Sequence, residues 1–169
     1  MATLGFQHND GGARAAGYTA KSANDCVIRA IAVATGLDYK TVQADLMDRA
    51  RAFADKYAGQ TRNGKPTKNA RIAAHYVKKN FNVRQRVHKE IYEPMLRELG
   101  FQWTPQMDIG TGTTMHVAAG ELPTTGTYIL KVSRHLTVLI DGVINDTFQC
   151  DRDGSRAVYG WWTKSPQYV

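Results

Sequence analysis

Apolar positions recur along this chain in two rhythms. Through the first hundred residues they return at three- and four-residue steps, and from Thr127 onward they alternate. The first rhythm predicts amphipathic helices and the second predicts strands of a half-buried sheet. The stretch 22–36 opens with Ser22-Ala23-Asn24-Asp25-Cys26 and is then apolar almost all round, which predicts a helix inside the domain. Ser22 or Asn24 is suited to cap its start, and Gly36 to stop it. A second helix is predicted over 38–57, with Val42, Leu46, Ala50, Phe53 and Tyr57 as its inner stripe and Gly59 as its end. Gln60 to Lys68 reads as a loop turning at Asn63-Gly64-Lys65-Pro66. A short helix is expected over 69–79 with Ile72, Tyr76 and Val77 inward, then a strand over 81–87, then a helix over 88–99 bent at Pro94 and closed by Gly100. Residues 101–115 show no period and read as a long connection of the binding-loop kind.

The alternating part predicts four strands, over 127–133, 135–140, 143–148 and 157–162. Asp141-Gly142 between the second and third is a strong signal for a two-residue type I′ hairpin. Residues 1–21, rich in Gly and polar groups, read as an extended arm. Helices first and an antiparallel sheet afterwards predict an α+β fold, a helical layer on a C-terminal sheet, in one domain over 1–169.

Composition narrows the class. Hydrophobic residues make up 43% of the 169, too many for a disordered chain. No apolar run is long enough to span a bilayer, and the first ten residues lack a charged-then-apolar leader. Two cysteines are too few for a disulfide framework, so a cytoplasmic protein is expected. The net charge of +7 is uneven: residues 60–89 hold nine Lys or Arg and no acid, leaving a net −2 for the remainder. A basic run of that kind suits a polyanion or an acidic protein surface.

Cys26 falls in the first turn of the predicted internal helix, where the positive helix end favours the nucleophilic thiolate. A nucleophilic thiol needs a base, and the base needs an orienting group. With Asp141-Gly142 as the turn, Ile140 pairs with Val143 and Thr137 with Asp146. His135 and Asp146 then become diagonal neighbours on one face, about 7–8 Å apart at the backbone, within reach of an imidazole–carboxylate bond. A one-residue slip would present Asn145 instead, and the tight turn favours Asp146. No Cys/His set has zinc spacing, no phosphate-binding glycine loop is present, and no cofactor or metal is expected.

Three segments together carry a resemblance. They are Asn24-Asp25-Cys26 opening an apolar helix, Gly126 to His135, and Asp141-Gly142-Val143-Ile144-Asn145-Asp146. The chain resembles the papain-like cysteine peptidases, especially the bacteriocin-processing type and related small bacterial or phage enzymes. Cys26-Val27-Ile28-Arg29-Ala30-Ile31 is also similar to the cysteine motif of ovarian-tumour-type deubiquitinases. The resemblance implies a papain-like fold and a hydrolase of peptide, isopeptide or related amide bonds. Cys26 would be the nucleophile, His135 the base and Asp146 the orienter; a phage protein would work in the bacterial cytoplasm. Many papain-like enzymes carry a glutamine six residues before the cysteine for the oxyanion hole. Ala20 stands there in this chain, so Asn24 with the Cys26 N–H is the local substitute and Asn145 a supporting residue.

Other candidates draw blander expectations. Cys150 reads as a turn cysteine, His116 as a surface histidine, and His75 and His88 need no role. Trp103, Trp161 and Trp162 read as core or cleft-wall aromatics. Asp25 and Arg29, four apart, read as a pair neutralising a buried arginine. The rival functions are a basic adaptor or inhibitor that binds nucleic acid or an acidic protein through residues 60–89, with Tyr76 and Phe81 among the bases, and an inactive papain-like scaffold.

Overall fold

The computed structural model describes residues 3–19, 24–107, 110, 112 and 115–164. Among the described residues there are four helices and a six-stranded mixed sheet. In chain order the elements are β1 (Gly5–His8), α1 (Cys26–Thr35), α2 (Tyr39–Tyr57), β2 (Thr61–Arg62), β3 (Lys65–Pro66), α3 (Lys68–Lys78), α4 (Lys89–Glu98), β4 (Phe101–Pro105), β5 (Thr127–Val132), β6 (His135–Ile140), β7 (Val143–Asp146) and β8 (Val158–Lys164). The large sheet runs β1-β7-β6-β5-β8-β4, with β2 and β3 forming a separate hairpin. No helix among the described residues is long and apolar enough to cross a membrane.

Local chemistry explains the helix ends. The Asp38 carboxylate accepts from the N–H groups of Lys40 and Thr41 at the start of α2, and Thr67 accepts from Ala70 at the start of α3. Gly36 closes α1 in the left-handed conformation at φ 73°. The residue preceding α1 is Asp25, whose side chain makes no capping bond and is used elsewhere. Ser22 lies outside the described residues, and Asn24 is one position too early to cap.

Alternation along the central strands separates two cores. Ile129, Leu136, Val138 and Trp162 face the helices and pack with Ile28 and Ile31 of α1, Val42 and Leu46 of α2, and Leu96 of α4. Leu130, Val132, Leu139, Ile144 and Val158 face the other way and pack under Val117, Leu122 and Cys150. The β6–β7 register pairs Ile140 with Val143, Leu139 with Ile144 and Val138 with Asn145, as the tight turn predicts. Asp141 at φ 47° and Gly142 at φ 78° are both left-handed, the signature of a type I′ turn.

Several expectations are corrected. Residues 81–87 form turns instead of a strand, because Asn80 and Phe81 adopt positive φ (48° and 55°) and break the extended run. Val77 is 56% exposed, since Ile72, Ala73 and Tyr76 already fill the inner face of α3. The loop at 60–68 is a hairpin over Asn63-Gly64. The connection after Gly100 begins as edge strand β4, antiparallel to β8. The N-terminal arm enters the sheet: β1 pairs with β7 in parallel, from Gly5 opposite Val143 to His8 opposite Asp146, so the sheet is mixed and not purely antiparallel.

Candidate functional site

Cys26 is the first residue of α1, and α1 packs on β6. His135 is the first residue of β6, directly after a turn through Arg134 at φ 57°. Asp146 is the last residue of β7. The hairpin therefore brings the imidazole and the carboxylate together at one end of the sheet, and α1 brings in the thiol from the helical layer. The contact between His135 Nε2 and Asp146 Oδ2 is 2.6 Å, with the two side chains 9% and 5% exposed. With Nε2 engaged by Asp146, Nδ1 is the ring nitrogen left for a thiol. The Cys26 thiol lies near enough to this imidazole and to the Leu136 N–H for both to favour its ionised form.

The electrostatics reinforce that geometry. Burial disfavours the charged imidazole, but the Asp146 carboxylate, then the thiols of Cys150 and Cys26, outweigh it and push His135 up to about 11. Burial likewise opposes ionisation of Cys26, yet the hydrogen bond and charge of His135, the Leu136 N–H and Arg29 bring the thiol below its usual value. Asp146 is held below the ordinary carboxylate range: burial pushes it up, and His135, Thr137 and the Thr147 N–H overcome that. The three groups thus favour one another's charged forms: a thiol shifted toward thiolate, a protonated imidazole and an ionised carboxylate.

Asn145 makes its hydrogen bonds outside the His135–Asp146 pair. Its Oδ1 accepts from Asn9 Nδ2 at 3.2 Å, and its Nδ2 donates to the Val143 carbonyl. That agrees with the even register, which leaves Asn145 opposite Val138 on the helix-facing side. Asn24 is exposed, two residues before Cys26. Ala20 lies outside the described residues. The Cys26 thiol, Asn145 and Asp146 line, with Arg29 and Thr137, a cavity of about 10 Å³. That volume holds one water at most.

Three supports were hidden from the sequence reading. Cys150 is buried at 1% in the second core, not held in a surface turn, and its thiol meets the same imidazole as Cys26. Arg156 donates from Nη1 to the Cys150 carbonyl at 3.1 Å and from Nη2 to the Ser133 carbonyl at 2.7 Å, tying the turn before His135 to the segment after β7. Arg29 does more than pair with Asp25. Its Nε lies 3.3 Å from Asp25 Oδ1, and its Nη1 donates to Thr147 Oγ1 at 2.7 Å, whose own N–H holds Asp146 Oδ1. Asp25 is completed by the Tyr39 hydroxyl at 2.6 Å, and Arg84 reaches that hydroxyl from beyond α3. A chain of polar contacts therefore runs from Arg84 to His135. The sequence signal for it was the Asp25–Arg29 spacing alone.

The donor atoms of His135, Asp146 and Cys150 lie within 4.8 Å of one another. Two zinc ligands of the N and O type sit roughly 3.3 Å apart around a tetrahedral ion. The 2.6 Å His135–Asp146 contact is closer than that, and is a direct ion pair. His116 is bound to Glu121 at 3.1 Å through Nδ1, away from this centre. No protein-family model, curated protein or solved structure gives a significant match to the chain.

Proposed function

We propose that the protein is a papain-like cysteine hydrolase, cleaving a peptide, isopeptide or related amide through an acyl-enzyme. One observation carries the reading: a single buried imidazole is held by a carboxylate at 2.6 Å and lies beside a thiol in the first turn of a helix. Cys26 Sγ attacks the scissile carbonyl carbon, and the carbonyl π electrons move onto oxygen. The N–H of Cys26 lies in the first helical turn, where backbone donors have no intrahelical acceptor, and stabilises that oxyanion together with Asn24. Collapse expels the amine, which takes its proton from the His135 imidazolium. Water then attacks the thioester, gives its proton to His135, and releases the acid and the Cys26 thiolate. Asp146 keeps the ring in one tautomer and orientation throughout. The packing of α1 on the central strand β6 is the feature that supports a papain-like form of this chemistry.

The test is alkylation by iodoacetamide at pH 6 with site mapping by mass spectrometry. Cys26 is expected to label far ahead of Cys150. Equal labelling, or labelling of Cys150 first, would leave Cys26 a structural residue and favour a non-catalytic scaffold.

A further inference from the structure

We propose that the face built from the β2–β3 hairpin, α3 and the turn into α4 binds the phosphate backbone of duplex nucleic acid, independently of the thiol chemistry. Of the nine cations in residues 60–89, eight are exposed: Arg62, Lys65, Lys68, Arg71, Lys78, Lys79, Arg86 and Lys89. The ninth, Arg84, turns inward over the Tyr18 ring at 3.6 Å and belongs to the polar chain beside the thiol. Among the described residues the only ion pair made by the eight is Lys68 with Glu90. Seven of the eight therefore carry charge without an ion pair among the described residues.

It is also contiguous. Lys68, Arg71, His75 and Lys78 follow three- and four-residue steps, so they share one stripe of α3, opposite the inner face of Ile72, Ala73 and Tyr76. That stripe extends over about 15 Å, the axial length of ten helical residues. At its start, Lys68 lines a surface hollow of about 550 Å³ together with Arg62 and Lys65 of the hairpin. Toward its end, His75 and His88 meet edge to face at 5.3 Å between centroids. Both imidazoles lose their protons more readily than usual. Burial is the first cause for each; Arg86, Lys79 and Lys78 add to it at His75, and Arg86 at His88. The positive field of the patch is thus felt by its own neutral groups.

The occupant follows from what the patch lacks. Stacking platforms for single strands need exposed aromatic rings. Tyr76 is fully buried, its hydroxyl accepting from the His88 N–H, and Phe81 is half-buried under Arg51. Protein interfaces centre on apolar and aromatic residues, and Val77 is the sole large exposed apolar side chain on α3. A straight row of cations without either is matched by regularly spaced phosphates, read by charge and not by sequence.

The experiment is fluorescence anisotropy of a labelled mixed-sequence DNA duplex with the full chain at rising salt. Engaging about six of the cations should make affinity fall by roughly 10³–10⁴ between 50 and 200 mM salt. The variant carrying Arg62→Gln, Lys65→Gln, Arg71→Gln and Lys78→Gln should bind at least roughly a hundredfold more weakly at low salt, with the log–log slope reduced by about three to four. Its Cys26 labelling rate should match wild type, which certifies the fold. A single strand of equal charge and polyglutamate should both compete less well than unlabelled duplex. No duplex binding at 50 mM salt overturns the proposal. So does a variant that binds like wild type, or a single strand or polyglutamate that competes as well as duplex. Unreactive Cys26 with duplex binding intact would sink the hydrolase reading alone.

Discussion

His135 and His88 are the same side chain in opposite electrostatic surroundings. Both are partly withdrawn from water, and in both the loss of hydration works against the protonated ring. His135 nonetheless rises to about 11, because Asp146 touches it and two thiols lie within its reach. His88 falls below its usual value, because after burial the next influence is the guanidinium of Arg86. Burial sets the size of the cost, and the nearest charge decides the sign. The comparison separates two regions of the molecule: one end of the sheet, where opposite charges are brought into contact, and the α3–α4 face, where like charges are left crowded. Under the two proposals above, the first would serve chemistry and the second a ligand that brings negative charge.

The strongest way to break this contrast is His135→Ala. Without the imidazolium, Cys26 loses its main source of thiolate, and its alkylation at pH 6 is expected to slow by roughly 10²-fold. The same substitution at His88 should leave the rate near wild type, and equal losses would erase the distinction between the two sites. Next in size is Asp146→Ala, which removes the group that orients and charges the ring; a loss of about tenfold is expected, equivalent to about one pKa unit. Asn145→Ala should change the rate by less than about twofold, because its amide is bonded to Asn9 on the other face. A reversal of that order would mean that the hairpin register differs from the one described.

Stability against pH sharpens the comparison further. The raised His135 contributes stability that is complete below its ordinary 6.5 and is lost as pH climbs toward about 11. The depressed Cys26 thiol contributes in the opposite sense, fully above its ordinary 9.0 and lost as pH falls through its lower folded value. Between the lowered folded value of Cys26 and 9, the thiol proton kept by the unfolded chain offsets the extra proton held on His135 in the folded chain, and their joint contribution is flat. Above 9 it declines. In Cys26→Ser the cancelling thiol is gone, so the decline should begin near 6.5, with a slope of up to about 1.4 kcal/mol per pH unit. Denaturation midpoints measured from pH 6 to 10 in both proteins check this, and coincident curves would mean there is no thiolate–imidazolium pair. The smallest effect is spectroscopic. Ring signals of His135 should not titrate between pH 5 and 8, whereas those of His75 and His88 should titrate with midpoints below 6.5.

The candidate site was legible where local rules act over short distances. Asp141-Gly142 admits one tight turn, that turn sets one register, and the register puts Asp146 beside His135; none of this needs the rest of the chain. Gly36 and the unbroken apolar run likewise determined α1 and the place of Cys26 in its first turn. The alternation at 127–140 determined the central strands for the same reason, since period-two burial is written into neighbouring residues.

What only the tertiary structure decided is what depends on partners far away in sequence. Four exposed residues, Gly5–His8, become a strand because β7 offers a free edge, and no alternation in β1 announces it. Phe81–Val87 alternates as well as a true strand, yet finds no edge to pair with and turns. Cys150 meets His135 because the second core buries it, and Arg29 and Arg156 reach carbonyls and hydroxyls on segments more than a hundred and more than twenty residues away respectively. Val77, which the pattern placed inward beside Ile72 and Tyr76, stays exposed because Ile72, Ala73 and Tyr76 already fill the inner face of α3. Backbone turns and periodicity are encoded over a few residues. Which face meets which partner is settled by the free energy of burying distant surfaces together, and that balance is visible only in the folded chain.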